Sequence, residues 1–252
     1  MSICFRDITF LNPCLLLISY NFGMQSNNII EISSCSFKYP QNENNTLDLA
    51  PLHVRSGEHI FLHGKSGSGK TTFLNILCGI IEPANSDIKI LHTDFSRLSA
   101  SQKDRFRADN YGTIFQQFNL LPYLSVKENI SLACGFSRQK SLHVSDMDQE
   151  IKRLLDALDL SPALLHTPAM NLSVGEQQRV AVARALIGSP KIIIADEPTS
   201  ALDSDTKERF MELLFTQVEA QNSTLIFVSH DRSLSSYFET HYDFADINKA
   251  VK

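Results

Sequence analysis

From Asn28 onward, apolar and polar residues alternate through NIIEISSCSFKY, the period of a half-buried strand. Further along, short continuous apolar runs replace that alternation. HIFLHG (59–64) reads as a buried strand ending on Gly64, KIIIAD (191–196) as a second after Gly188 and Pro190, and TLIFVSH (224–230) as a third. Runs of this kind mark strands covered on both faces. KTTFLNILCG, the next apolar stretch after the first run, reads as a helix, with Gly79 placed to stop it. Between the first run and the second, Ile151, Leu154, Leu155 and Leu158 recur at helical spacing on one face. Strands alternating with helices predict an α/β fold built on a mainly parallel sheet.

The first 23 residues break this pattern. ITFLNPCLLLISYNF is apolar, but Asn12 and Pro13 interrupt it, and a membrane-spanning helix needs about 20 consecutive apolar residues. Arg6 is the one basic residue ahead of it, beside Asp7, and no small-residue cleavage pattern follows. Residues 1–23 read either as an interfacial or cleaved segment or, the favoured reading, as an N-terminal extension upstream of a physiological start at Met24, with one domain over 24–252.

Composition narrows the partners. At 252 residues, 43% hydrophobic and 20% charged, the chain can bury a sizeable core. A net charge of −5 argues against the broad basic footprint of a nucleic-acid binder, so no nucleic acid is expected. The cysteines, Cys4, Cys14, Cys35, Cys78 and Cys134, are scattered without a CxxC or a Cys–His pair at metal-ligand spacing, which fits a reduced, cytosolic chain.

The chemistry begins at GKSGSGKTT, residues 64–72. Gly64-x-x-x-x-Gly69-Lys70-Thr71 is the phosphate-binding loop pattern, set after an expected strand and before an expected helix. Glycines let the backbone wrap a polyphosphate and present successive N–H donors at a helix N-terminus. The whole loop, Gly64, Lys65, Ser66, Gly67, Ser68, Gly69, Lys70, Thr71 and Thr72, is thus the nucleotide-binding candidate, although the Lys65 side chain reads as a solvated loop charge. Lys70 would reach the β- and γ-phosphates, and Thr71 would ligate Mg²⁺. Farther on, IIIADEP brings Asp196 and Glu197 to the end of a buried strand, where consecutive side chains point to opposite sides and two acids can take two roles. Asp196 would hold the Mg²⁺ shell and Glu197 would polarise the attacking water.

Together with LSVGEQQRVAVARAL (172–186) and SALD (200–203), these residues resemble the nucleotide-binding subunit of an ATP-binding cassette (ABC) transporter, over residues from about 30 to 235. The resemblance implies a P-loop NTPase core with a mainly parallel sheet, an antiparallel β edge region and a helical signature lobe of about 118–188. It implies that Tyr39, in SFKYP, stacks on adenine, though a plain strand aromatic is the other reading. Gln116, in IFQQFNLLPYLSV, matches the glutamine that touches Mg²⁺ and the attacking water, ahead of Gln117. Asp203 matches the loop that crosses the dimer, and His230, in VSHD, the histidine that contacts the γ-phosphate.

Ser173 and Gly175 precede a long helix, so a hydroxyl and exposed N–H groups form a second anion site in the chain. In the resembled family that site closes over ATP held by a second copy, giving a head-to-tail sandwich dimer. Val174 and Glu176 depart from the usual LSGGQ. The apolar FNLLPYL reads either as a docking groove for an integral membrane permease subunit or as ordinary lobe core. The implied function is ATP binding and hydrolysis that powers a transporter, with the subunit cytoplasmic and peripheral on the inner face of the membrane. The wording FQQFNLLPYLSVKENI is most similar to lipoprotein-releasing and macrolide-export cassettes. A soluble ABC-type ATPase acting on a nucleic-acid or ribosomal complex is the alternative, but it lacks support from a coiled-coil insertion or a second cassette.

Overall fold

The computed structural model describes residues 27–200 and 202–250; the expectations for residues 1–23 and for a start at Met24 lie outside them. Two sheets organise the chain. In the first, β1 (Asn28–Phe37) pairs antiparallel on one side with β2 (Leu47–Leu49) and β3 (Leu52–Arg55). The second sheet takes the next strand, β4 (His59–His63), before the chain returns to the first with β5 (Asn85–Ile90), paired to β1, and β6 (Thr93–Asp94). β7 (Tyr111–Ile114), β8 (Ile192–Asp196), β9 (Thr224–Ser229) and β10 (Thr240–Asp243) complete the second sheet in the order β10-β4-β9-β8-β7, parallel throughout.

The continuous apolar runs follow from where that parallel sheet sits. Ile60, Leu62, Ile192, Ile194, Ile226 and Val228 face a core shared with the antiparallel sheet. Their neighbours Phe61, Ile193, Ala195, Leu225 and Phe227 face a second core, shared with the helices. Both faces are buried, so period-2 alternation disappears from the sequence. β1 is less regular than its sequence suggests. Its pairing slips against β3 between Asn28 and Ile30 and against β5 between Ile32 and Ser34. Accordingly Ile29 and Ile30 are both buried, while Ser33 and Ser34 are both exposed.

The helices are α1 (Lys70–Leu77), α2 (Ala100–Asn110), α3 (Val126–Gly135), α4 (Arg138–His143), α5 (Met147–Ala157), α6 (Val174–Leu186), α7 (Ser204–Ala220) and the short α8 (Phe244–Ile247). α1 ends as expected at Gly79, which takes φ +67°. The Gly79 N–H donates to Ile76 O and the Ile80 N–H to Asn75 O, the paired closure that only a left-handed residue permits cheaply. Ile151, Leu154, Leu155 and Leu158 on and just after α5 are all buried, and α3 packs against α4, α5 and α6. The ends of β4, β8 and β9, with the start of α1, form the rim that carries the candidate residues.

Candidate nucleotide site

The loop joining β4 to α1 is shaped by its glycines. Gly67 and Gly69 adopt φ +78° and +100°, a region L side chains avoid. Gly64, just past the strand end rather than on it, has no room for a side chain: a Cβ there would lie 3.0 Å from both Phe244 Cβ and Ser68 Oγ. Lys70 opens α1 and folds back over the loop, its Nζ donating to the carbonyls of Gly64 (2.6 Å) and Lys65 (3.0 Å). This holds a largely buried ammonium inside the loop. Of the two threonines that follow, Thr71 is exposed and Thr72 buried. Thr72 shares a 3.3 Å hydrogen bond with the Tyr39 hydroxyl, placing Tyr39 beside the loop.

Asp196 ends β8, but Glu197 lies beyond it at φ +49°. Glu197 is therefore set by a left-handed kink and not, as the sequence suggested, by strand alternation. The Glu197 N–H donates to Val228 O at 2.9 Å, which fixes the kink to the end of β9. Its carboxylate Oε2 accepts from Ser229 Oγ (3.4 Å) and lies 2.7 Å from His230 Nδ1. Burial, followed by the neighbouring Glu197 charge, pushes the Asp196 carboxyl up, with Lys70 acting in the opposite sense.

A cleft of about 510 Å³ is lined by Ser66, Gly67, Gly69, Lys70 and Thr71 of the loop together with Gln116, Asp196, Glu197 and His230. Four separate stretches of sequence thus bring ammonium, hydroxyl, amide, acidic and imidazole groups to one cleft. Gly64, Lys65, Ser68 and Thr72 belong to the loop but not to this lining, and Gln117 is likewise outside it. Ser173, Gly175 and Asp203 do not line the cleft either.

At the start of α6, Ser173 is the N-cap. Its Oγ accepts from the Glu176 N–H (3.3 Å), while its own N–H and hydroxyl donate to Glu176 Oε2 at 2.8 and 2.7 Å. This reciprocal cap holds the Glu176 carboxyl below its ordinary range, through the Ser173 hydroxyl first and its N–H second. Gly175 is open, the nearest atom to a Cβ there being Arg179 Nη1 at 3.5 Å. Asp203 caps α7, accepting from the Thr206 N–H (2.9 Å) and hydroxyl (3.0 Å).

Two side chains that the sequence reading passed over connect these parts. Arg184, near the end of α6, donates to the carbonyls of Phe118 and Asn119, both at 2.6 Å. Those two residues have φ +58° and +49°, so Arg184 braces the strained turn just after Gln116. Gln178, buried on α6, donates to Pro198 O at 2.8 Å, next to Glu197. Both sit inside LSVGEQQRVAVARAL, where a polar residue in an apolar helix was the available signal.

Residues 47–200 match the family model described as ABC transporter. The chain is 36% identical over 206 residues to the ABC transporter ATP-binding protein YtrE of Bacillus subtilis, covering 82% of this chain and 87% of that one. It is 38% identical over 194 residues to the macrolide export ATP-binding/permease protein MacB of Campylobacter jejuni, covering 77% of this chain but 30% of that longer protein. Among solved structures it resembles the dimeric post-hydrolysis state of the ATP-binding cassette MJ0796 bound to ADP and Pi. There the TM-score is 0.75 and the identity 32%, over 85% of this chain and 94% of the other. MJ0796 is a protein of Methanocaldococcus jannaschii. These likenesses support the transporter reading over the nucleic-acid or ribosomal one. The chain belongs to the ABC transporter family, as an ATP-binding subunit that hydrolyses ATP.

Proposed function

We propose that the cleft binds ATP and that its hydrolysis drives opening of a head-to-tail dimer coupled to an integral membrane permease. The observation that carries this is the meeting of Lys70, Thr71, Gln116, Asp196, Glu197 and His230 around one cleft. Loop N–H groups and Lys70 neutralise the polyphosphate, and Tyr39 supplies an aromatic face for adenine. Glu197 takes a proton from the attacking water as its oxygen bonds to the γ-phosphorus. The bond from that phosphorus to the β–γ bridging oxygen breaks, releasing ADP and phosphate. His230 holds Glu197 and faces the γ-phosphate.

The donors fit Mg²⁺. Thr71, Gln116 and Asp196 offer hard oxygens, and the raised Asp196 marks a charge cost that a cation relieves. Bound there, it would neutralise phosphate charge. Ser173 and Gly175 form the half-site offered to ATP on the partner copy, and Asp203 lies at the crossing loop. The domain is taken as residues 24–252, with a helical lobe of about 118–188.

No helix among the described residues is long and apolar enough to cross a membrane. The permease is proposed to dock near the turn after Gln116, where Tyr123 is 72% and Phe136 73% exposed. The subunit then sits on the cytoplasmic face, and the macrolide-export and lipoprotein-releasing systems are the proposed transporter class. The test is ATP turnover and sizing chromatography of the purified chain with ATP and Mg²⁺. Nucleotide-dependent dimerisation and phosphate release are expected; absence of both overturns the reading.

A further inference from the structure

The chain returns to the phosphate loop from the far end of its sequence. Asn248, just after α8, is fully buried. Its Oδ1 accepts from the N–H groups of Asp48 (2.9 Å) and Ala250 (3.2 Å). Its Nδ2 donates to the carbonyls of Thr46 and Ser68, both at 3.1 Å. Two donors therefore face the amide oxygen and two acceptors the amide nitrogen, which fixes the orientation of the side chain and satisfies it completely.

The bond to Ser68 has a consequence for ligand binding. In a trans peptide the C=O of one residue and the N–H of the next point in opposite directions. With the Ser68 carbonyl held toward Asn248, which is not part of the cleft lining, the Gly69 N–H points the other way, toward the cleft that Gly69 lines. On its C-terminal side this peptide meets Gly69 at φ +100°, where the lack of a Cβ lowers the steric resistance to rotation of the plane. A rotated plane would turn a carbonyl toward an anion. The outer side of Gly69 is closed, since a Cβ there would stand 2.8 Å from Leu47 Cδ2 and 3.2 Å from Thr46 O.

We infer that Asn248 is a positioning residue for the nucleotide: it fixes the Ser68–Gly69 peptide so that the Gly69 N–H is presented to the terminal phosphates of a nucleoside di- or triphosphate. This rests on the reading of residues 64–72 as the phosphate site. The glycine-rich loop supplies the donors, and a buried amide far away in sequence sets their direction.

The experiment uses the full chain with Asn248→Asp and Asn248→Ala. Aspartate keeps the acceptors for Asp48 and Ala250 but has no donor for Thr46 and Ser68. ADP and AMP affinities are measured by competition against a fluorescent nucleotide, and the Gly69 amide resonance is followed by NMR in the nucleotide-free protein. In both variants ADP should bind about tenfold more weakly while AMP, which lacks the β-phosphate, changes less than about twofold. The Gly69 resonance should shift. Unchanged ADP affinity, or an equal fall for ADP and AMP, overturns the inference. Loss of fold in both variants also overturns it, by making Asn248 a structural residue. Failure of the parent chain to bind ADP would sink the phosphate-site reading itself, whereas a binding parent with unaltered variants sinks only the role of Asn248.

Discussion

His230 Nδ1 and Glu197 Oε2 stand 2.7 Å apart, joining the ends of two neighbouring parallel strands across the mouth of the cleft. With Ser229 Oγ on the same oxygen, one half of the carboxylate is used for orientation and the other is left to accept from water. Glu197→Gln keeps the shape but removes the proposed proton acceptor. ATP affinity should stay within about twofold, turnover should fall at least about 100-fold, and an ATP-bound dimer should accumulate on sizing chromatography. Hydrolysis at the parent rate would place the base elsewhere.

A buried lysine gives the molecule a pH signature. Lys140 donates to Tyr111 O at 2.7 Å and sits against Gly188, and burial lowers its pKa from 10.5 to about 8. Between those values the unfolded chain holds a proton that the folded chain has released, so stability rises with pH in that window. Below about 8 both states are protonated and the effect is absent. The stability of the parent minus that of Lys140→Met should therefore climb from pH 8 to pH 10, by at most about 1.4 kcal/mol per pH unit. Urea unfolding at pH 7.5 and 9.5 measures it, and a flat difference would mean that the ammonium stays hydrated.

Much of the fold was legible because its signals are local. Three apolar runs became β4, β8 and β9, and Gly79 closed α1 through backbone geometry that glycine alone adopts cheaply. The glycine-rich loop between β4 and α1 was legible for the same reason. What sequence could not supply were contacts between distant positions. The slips in β1 depend on its partners β3 and β5, and the left-handed kink at Glu197 depends on Val228. Arg184 and Asn248 looked like ordinary polar residues, because the carbonyls they hold are 65 or more positions away at Asn119 and Phe118, and 180 away at Ser68.

FNLLPYL divides between the two readings offered for it. Leu120 is half-buried against the core shared with the helices, so Leu120→Asn should lower stability by roughly 1–2 kcal/mol, less than truncation of a fully buried leucine. Tyr123 is the exposed apolar residue of FNLLPYL. Tyr123→Ser should leave the unfolding midpoint and basal ATPase activity unchanged while weakening recovery with the permease from detergent extract. Undiminished recovery would place the docking surface away from this turn.

The signature sets two effects of Glu176 against each other. Its carboxylate completes the cap on Ser173, and a negative charge at a helix start contributes roughly 0.3–1 kcal/mol. Yet the Ser173 hydroxyl proton that a partner's phosphate would want is already given to Glu176. In the proposed head-to-tail sandwich, closure would break that bond and bring a carboxylate near a polyphosphate. Its depressed pKa keeps it charged at neutral pH, so protonation offers no relief. Glu176→Gln retains a side chain able to cap but drops the charge, and it should strengthen ATP-driven dimerisation by about threefold to tenfold, since partly exposed charge pairs contribute on the order of 1 kcal/mol. Ser173→Arg should abolish dimerisation by filling the half-site. Both are measured in the Glu197→Gln background by sedimentation with ATP, which separates closure from turnover. Equal dimerisation in Glu176→Gln would mean that the carboxylate turns to solvent on closure, and a stable Ser173→Arg dimer would rule out the head-to-tail sandwich.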